Sequence, residues 1–177
     1  MRLFLHVCCG PCASGTIPYW QKKVHEVVGF FCNPNIHPLL EQRRRLCGAR
    51  EASEYLHTTL VVDEAYDPSL WFAEIGISEE SRCSLCIGQR LRKTAEEGLR
   101  QECDAFSTTL SISPWQDHAA IQEQGSRIAE EVGIEFAYED LRSLYGDSRR
   151  LSRERGLYRQ KYCGCLLSEW ERYRDSR

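Results

Sequence analysis

The sequence predicts an α/β fold: a mainly parallel five-stranded sheet with helices on both faces. Three observations carry this. Short apolar or β-branched runs alternate with longer helical patterns, as crossover-connected parallel strands require. The run at 27–32 is continuous and apolar, which suits a strand buried on both faces. No repeat, low-complexity tract or linker interrupts the alternation, so residues 1–177 read as one domain.

Residues 2–7, with Leu3, Phe4, Leu5 and Val7, form the first strand, and a helix is expected from Ala13 or Ser14 to about Glu26. The second strand, 27–32, ends at Asn33-Pro34-Asn35, which is turn chemistry. Pro38 suits the first turn of a helix carrying Leu39, Leu40, Arg43, Leu46 and Arg50. Residues 58–62 are β-branched and apolar, a third strand. After Asp67-Pro68 a short helix is expected near 70–75, then a stronger one over 83–100. Residues 105–110 read as the fourth strand, 117–131 as a helix after Ser113-Pro114, and 134–138 as the fifth strand. From Leu141 onward the chain reads as helical and basic.

The net charge of −3 gives no overall push toward nucleic acid. The distribution is uneven: residues 141–177 hold ten Lys/Arg against five Asp/Glu, leaving −8 on the remainder. A basic end on an acidic body can hold a polyanion, or it can be a solvated helical surface. The first residues lack a signal-peptide layout, and no stretch approaches the ~18–20 apolar residues of a membrane span. A cytoplasmic setting without membrane contact is expected. Clustered cysteines there more often mean metal or redox chemistry than structural disulfides.

The chain has ten cysteines, in suggestive groups. Cys8, Cys9 and Cys12 follow the first strand, at the carboxyl edge where α/β sheets bind ligands. Cys83 and Cys86 form a two-ligand unit opening a helix. Soft thiolates in this pattern suggest an iron–sulfur centre held by Cys8, Cys9, Cys83 and Cys86, with Cys12 a possible addition; zinc competes. Cys163-Gly164-Cys165 can close a small-ring, redox-active disulfide or complete the metal site. Cys32, Cys47 and Cys103 read as buried hydrophobes or inert thiols. The aromatics and cations of 158–162 suit stacking on bases and holding phosphates, or an amphipathic helix against the body.

Five blocks occur in order: His6-Val7-Cys8-Cys9-Gly10-Pro11-Cys12, Asn33-Pro34-Asn35-Ile36-His37-Pro38, Arg82-Cys83-Ser84-Leu85-Cys86, Thr108-Thr109-Leu110-Ser111-Ile112-Ser113-Pro114, and Leu157 through Cys165. Together they resemble the QueH-type epoxyqueuosine reductases, over about Leu3 to Ser168. The resemblance implies a Rossmann-like fold of ATP-pyrophosphatase (HUP-like) type. It implies a cobalamin-independent oxidoreductase with a [4Fe–4S] cluster and an adjacent iron. The reaction would reduce the epoxide of epoxyqueuosine in the tRNA anticodon to queuosine. By position Cys8, Cys9, Cys83 and Cys86 match metal-site cysteines, and Cys163 and Cys165 the C-terminal pair. Gly10, where alanine is commoner, Cys32, where an aromatic is expected, and Ile87, where tyrosine is frequent, depart from the pattern without removing a ligand.

Such a reaction takes two electrons and two protons, with a ferredoxin or flavodoxin as expected donor. Cys163 and Cys165 are candidates to relay electrons; His37 and Asp117, with His118, are candidates to handle protons. Arg43, Arg149, Arg150, Arg153, Tyr158, Arg159 and Lys161, with Arg44 and Arg45, are candidate tRNA contacts. Two rivals remain. An ATP-dependent sulfur-transfer enzyme would need a Gly/Ser-rich phosphate loop where Cys8–Cys12 stand. A zinc-stabilised RNA-binding module would lack catalysis altogether.

Overall fold

In a computed structural model of the chain, which describes residues 1–78 and 80–176, five parallel strands form one sheet in the order β3-β2-β1-β4-β5. They are β1 (Arg2–His6), β2 (Glu26–Cys32), β3 (Thr59–Asp63), β4 (Ala105–Thr108) and β5 (Glu135–Phe136). The expected α/β architecture is present. Seven α-helices accompany the strands among the described residues: α1 (Gly10–Gln21), α2 (Leu39–Tyr55), α3 (Pro68–Ile75), α4 (Arg82–Arg100), α5 (His118–Val132), α6 (Tyr145–Glu154) and α7 (Leu166–Tyr173). None of them is long and apolar enough to cross a membrane.

The period-2 alternation of β1 divides the core. Leu3, Leu5 and Val7 pack with Ala13, Ile17 and Trp20 of α1 and with Leu46, Ala49 and Ala52 of α2. Phe4 points to the opposite face, stacks on Phe30 and meets α4 at Gly98, where a Cβ would lie 3.1 Å from Phe4. There α4 and α5 join through Ile87, Leu91, Ile121 and Ile128. Each such fully buried side chain contributes about 1.5–3 kcal/mol. The winding direction reverses between β1 and β4, where His6 pairs in register with Thr108, so the carboxyl ends of these strands flank a crevice.

Several element boundaries differ from the sequence reading: β5, expected over 134–138, is only Glu135–Phe136, and four other differences have a local cause. Helix α1 starts at Gly10, not at Ala13 or Ser14, because Pro11 sits in a first turn that needs no N–H. It ends at Gln21 because the sheet takes over: His25 N–H bonds Met1 O, and Glu26 pairs with Arg2. Strand β4 stops at Thr108, whose hydroxyl accepts from Leu110 N–H and turns the chain into a 3₁₀ segment, Thr109–Ile112. The basic end is not continuously helical. Gly156 adopts φ 67°, ending α6, and residues 155–165 run as an irregular strap before α7.

One close approach fixes the start of α1. A Cβ on Gly10 would lie 2.3 Å from Gly48 O on α2, whereas a Cβ on Gly48 would be 4.0 Å from its nearest neighbour, Gly10 N. Gly10→Ala is expected to destabilise the fold by about 1–3 kcal/mol in urea titration. Gly48→Ala should be neutral or stabilising by up to about 1 kcal/mol, since alanine is the better helix former.

Candidate metal centre

A polar stitch across three strands sets up the turn after β1. The buried His6 ring contacts Thr108 Oγ1 through Nδ1 at 2.9 Å and Asn33 Oδ1 through Nε2 at 3.2 Å. Asn33 Nδ2 donates to Val7 O at 2.9 Å, and Val7 N–H to Phe30 O at 2.7 Å. The chain therefore stays extended one residue past β1 and then turns. Cys8 N–H donates to Thr109 Oγ1, Cys9 remains extended (φ −173°), and Cys12 follows in the first turn of α1.

This path gathers sulfur. The Sγ atoms of Cys8, Cys9 and Cys12 all lie within 4.8 Å of one another, and all three residues are buried. Cys8 and Cys9 Sγ are 3.6 Å apart; the Thr109 hydroxyl is 3.3 Å from Cys8 Sγ, and Gln160 Nε2 is 2.9 Å from Cys9 Sγ. The sulfurs cannot all ionise together. Cys12 and Cys8 donate to Cys9, which with nearby Arg45 holds Cys9 well below the usual thiol range. Cys12 is raised well above it by its bonds to Cys8 and Cys9. Cys8, although Cys12 donates to it, is pushed up to about 11 by its bond to Cys9 and by burial. The α1 N-terminus adds a dipole that favours the first thiolate. A metal would take the remaining protons' place, as thiolate ligation requires.

Four of the other cysteines, Cys83, Cys86, Cys163 and Cys165, stand around a second point. Cys86, pushed up to about 11 by burial, packs with Trp71 and Ile75, and Cys165 lies against this group. Cys83 is exposed at the start of α4. Cys163 is exposed and faces the same cleft as Cys8 and Cys12, with Gln116 Nε2 3.5 Å from its sulfur. All ten cysteines are free thiols, so of the two readings of Cys163 and Cys165 the disulfide is not formed. Cys165 Sγ instead caps α7, accepting from Ser168 N–H at 3.4 Å. Cys12, read as an addition, is a full member of the tight trio, whereas Cys83 and Cys86 lie outside that trio.

Arg90 bridges the two groups. It is 3% exposed, donates Nε–H to Cys86 O at 3.1 Å, and forms no ion pair with a carboxylate among the described residues. Burial opposes its charge, yet the sulfurs of Cys86, Cys163 and Cys8 hold it up. It follows Cys86 by one helical turn, a spacing that put it on the same face. Sequence reading passed over Arg90, as it did Gln116 and Gln160, whose isolated side chains give no signal.

The strap forms one wall of a cleft of about 730 Å³. Arg45, read as a phosphate contact, is instead an internal clamp: Nε bonds Glu41 at 2.8 Å, and its other nitrogens bond Cys163 O and Tyr162 O. Tyr158 O–H donates to Glu41, Tyr162 O–H to His37 O, and His37 N–H to Gly164 O. The cleft edge carries Arg149, Arg159 and Lys161 from the candidate tRNA contacts; Arg43, Arg150 and Arg153 lie exposed outside its lining. Arg150 pairs with Asp147 and Glu154.

The candidate proton carriers stand elsewhere. His37 is buried edge-on against Trp71 and stacked on Phe72, away from the cleft lining, and burial lowers its pKa. Asp117 is the N-cap of α5, accepting from Ala120 N–H at 3.0 Å. His118 bonds Tyr138 O–H and Ser113 O.

Comparison with known proteins points the same way. The family model "Epoxyqueuosine reductase QueH" matches residues 3–171. An epoxyqueuosine reductase QueH from Dehalococcoides mccartyi is 37% identical over 97% of this chain and 94% of its own length. One from Thermotoga maritima is 34% identical over 96% and 91%. A solved structure of a predicted subunit of tRNA methyltransferase from Methanocaldococcus jannaschii has a TM-score of 0.52 at 14% identity, covering 88% of each chain; it shares the fold.

The His6 stitch makes an acid-side prediction. Burial first, and then Arg90, lower His6 from 6.5 to about 4, so the folded chain holds it neutral. Its contribution is complete above pH 6.5 and is lost as the pH falls toward 4, a loss of about 3 kcal/mol. Urea unfolding of the metal-free chain across that window should show this component, and a His6→Gln variant should lack it.

Proposed function

Because the chain belongs to the epoxyqueuosine reductase QueH family and is an oxidoreductase whose substrate is tRNA, we propose that it works without cobalamin, through a [4Fe–4S] cluster and an adjacent iron held by its own thiols. Cys8, Cys9, Cys12, Cys83 and Cys86 would hold these groups. The observation that carries the reading is the buried, carboxylate-free Arg90 between two groups of cysteines. A guanidinium this buried needs negative charge beside it, and among the described residues the groups placed to supply it are sulfurs, once ionised. The donor set fits iron: three thiols within 4.8 Å leave room for a non-protein ligand, unlike a closed four-ligand zinc site.

The reaction balances as epoxide plus two electrons and two protons giving the alkene and water. The bound iron and cluster would supply a Lewis acid for the epoxide oxygen and a one-electron carrier. The chain's residues do the rest. The cleft lies within the ligand-pocket range of about 300–1,000 Å³ and admits a nucleoside side group down to Cys8 and Cys12 on its floor. Arg149, Arg159 and Lys161 hold flanking phosphates at its edge. Cys163, oriented by Gln116, is the exposed thiol on the wall and serves as proton donor to the substrate, recharged from solvent. Cys165, through its cap on α7, positions that wall. A ferredoxin or flavodoxin in the cytoplasm would deliver the electrons. The ATP-dependent rival loses support, since Cys8 N–H is taken by Thr109 and Pro11 has no N–H to offer a phosphate.

Anaerobically purified protein is expected to be brown and to carry about four or more irons per chain. With dithionite and epoxyqueuosine-containing tRNA, nucleoside mass spectrometry should show loss of one oxygen; an iron-loaded chain that leaves the nucleoside unchanged would refute the reading. Cys→Ser at 8, 9, 12, 83 or 86 should lower bound iron, whereas Cys47→Ser should not.

Arg90→Met separates two states. The metal-free variant should be as stable as wild type or more so, because an unpaired buried charge is gone. Its iron content and reduction potential should both fall, because a cation favouring the reduced, more negative centre is removed. Unchanged iron content and potential would detach Arg90 from the metal site.

A further inference from the structure

We propose that Trp115 is a nucleobase-stacking platform at the mouth of the cleft, holding a nucleotide next to the target rather than the target itself. The inference rests on the tRNA-reductase reading above and adds a binding residue to it. Trp115 lines the cleft yet is 83% exposed, far more than the chain's Trp20 and Trp71, which are 4% and 2% exposed. An indole left in water on a structured surface marks a contact surface.

Its loop is ordered. Ser113 Oγ accepts from Trp115 N–H at 3.3 Å, Ser113 O accepts from Gln116 N–H, and His118 Nε2 bonds the same carbonyl at 2.9 Å. The ring is thus presented by a pinned turn, with little ordering entropy left for a ligand to overcome.

Charge says what the ring meets. Arg149, Arg159, Lys161 and Arg172 line the same cleft, and none forms an ion pair among the described residues. Elsewhere on the surface Arg127 pairs with Glu131, and Arg142 with Asp140. Among the described residues, the one acidic side chain in the lining, Glu171, is held by Arg82. Unpaired cations around an exposed flat ring match single-stranded RNA, whose bases stack on aromatics while its phosphates take the charges. A target nucleoside must descend to Cys8 and Cys12, so the ring at the mouth meets its neighbour.

The test uses the full chain and a synthetic anticodon stem-loop RNA, with fluorescence anisotropy at several salt concentrations. Trp115→Ala should weaken binding about 5- to 150-fold, and Trp115→Phe should restore it to within about 3-fold. The salt slope should not change with Trp115→Ala, whereas Arg159→Ala should flatten it. An abasic site beside the target position should erase the difference between wild type and Trp115→Ala. Wild-type-like binding by Trp115→Ala, or equal losses in the alanine and phenylalanine variants, would overturn the proposal while leaving the reductase reading intact. So would an alanine variant impaired only with a protein electron donor and not with dithionite, which would make the indole a protein contact. No stem-loop binding by the wild-type chain would overturn both.

Discussion

Three sulfur atoms within 4.8 Å of one another, buried at the end of a central strand, are the constraint around which the rest is arranged. Like charges this close in a low-dielectric site cannot coexist without help. The chain answers in layers. Hydrogen bonds among the thiols settle the first charge on Cys9, with Gln160 and Arg45 toward it. The α1 N-terminus faces the same point. Arg90, buried and without a carboxylate, supplies a full positive charge between this trio and the cysteines of α4 and the strap. The arrangement is asymmetric without metal and becomes complementary once thiolates replace thiols.

The second dependence runs through the C-terminal strap. No strand or helix holds residues 155–165; side chains from α2 do. Arg45, itself fixed by Glu41, bonds two strap carbonyls, while Tyr158 returns a bond to Glu41 and Tyr162 to His37 O. A Cβ on Gly164 would lie 3.0 Å from Asn35 Nδ2 and 3.1 Å from Ile36 Cγ1, so a larger residue there would make these side chains give way. Through these contacts Gln160 reaches Cys9 and Cys163 reaches the cleft, joining the two ends of the chain at one site.

The sheet was legible in the sequence because strand signals are local: each apolar run is a strand, and alternation alone implied parallel pairing. The start of α1 was not, since Gly10-Pro11 reads equally as a turn and as a proline-bearing first helical turn. The strap was hidden because its cations and aromatics have helical spacing, and only Gly156 marks the break. Within the site, clustering pointed to thiol chemistry, but spacing could not say that Cys12 joins Cys8 and Cys9 more tightly than Cys83 or Cys86 does. His37 and Asp117 looked available because their positions follow strands and turns; tertiary contacts assign one to an aromatic box and the other to a helix cap. Long-range partners such as Gln160, 151 positions from Cys9, leave no trace in a linear pattern.

The Gly10–Gly48 contact links these layers. Arg45 and Gly48 lie on one helix three residues apart, so the depth at which α2 settles against α1 also sets where the Arg45 guanidinium stands. That guanidinium touches Cys9 electrostatically and the strap by hydrogen bonds. A methyl group at position 10 would meet Gly48 O at 2.3 Å and push α2 outward. The displacement would pass to the strap and to the charge balance of the trio together. Glycine at position 10 is therefore matched to a close α1–α2 packing on which this chain's cleft geometry depends, and its structural partner is the Gly48 carbonyl of α2.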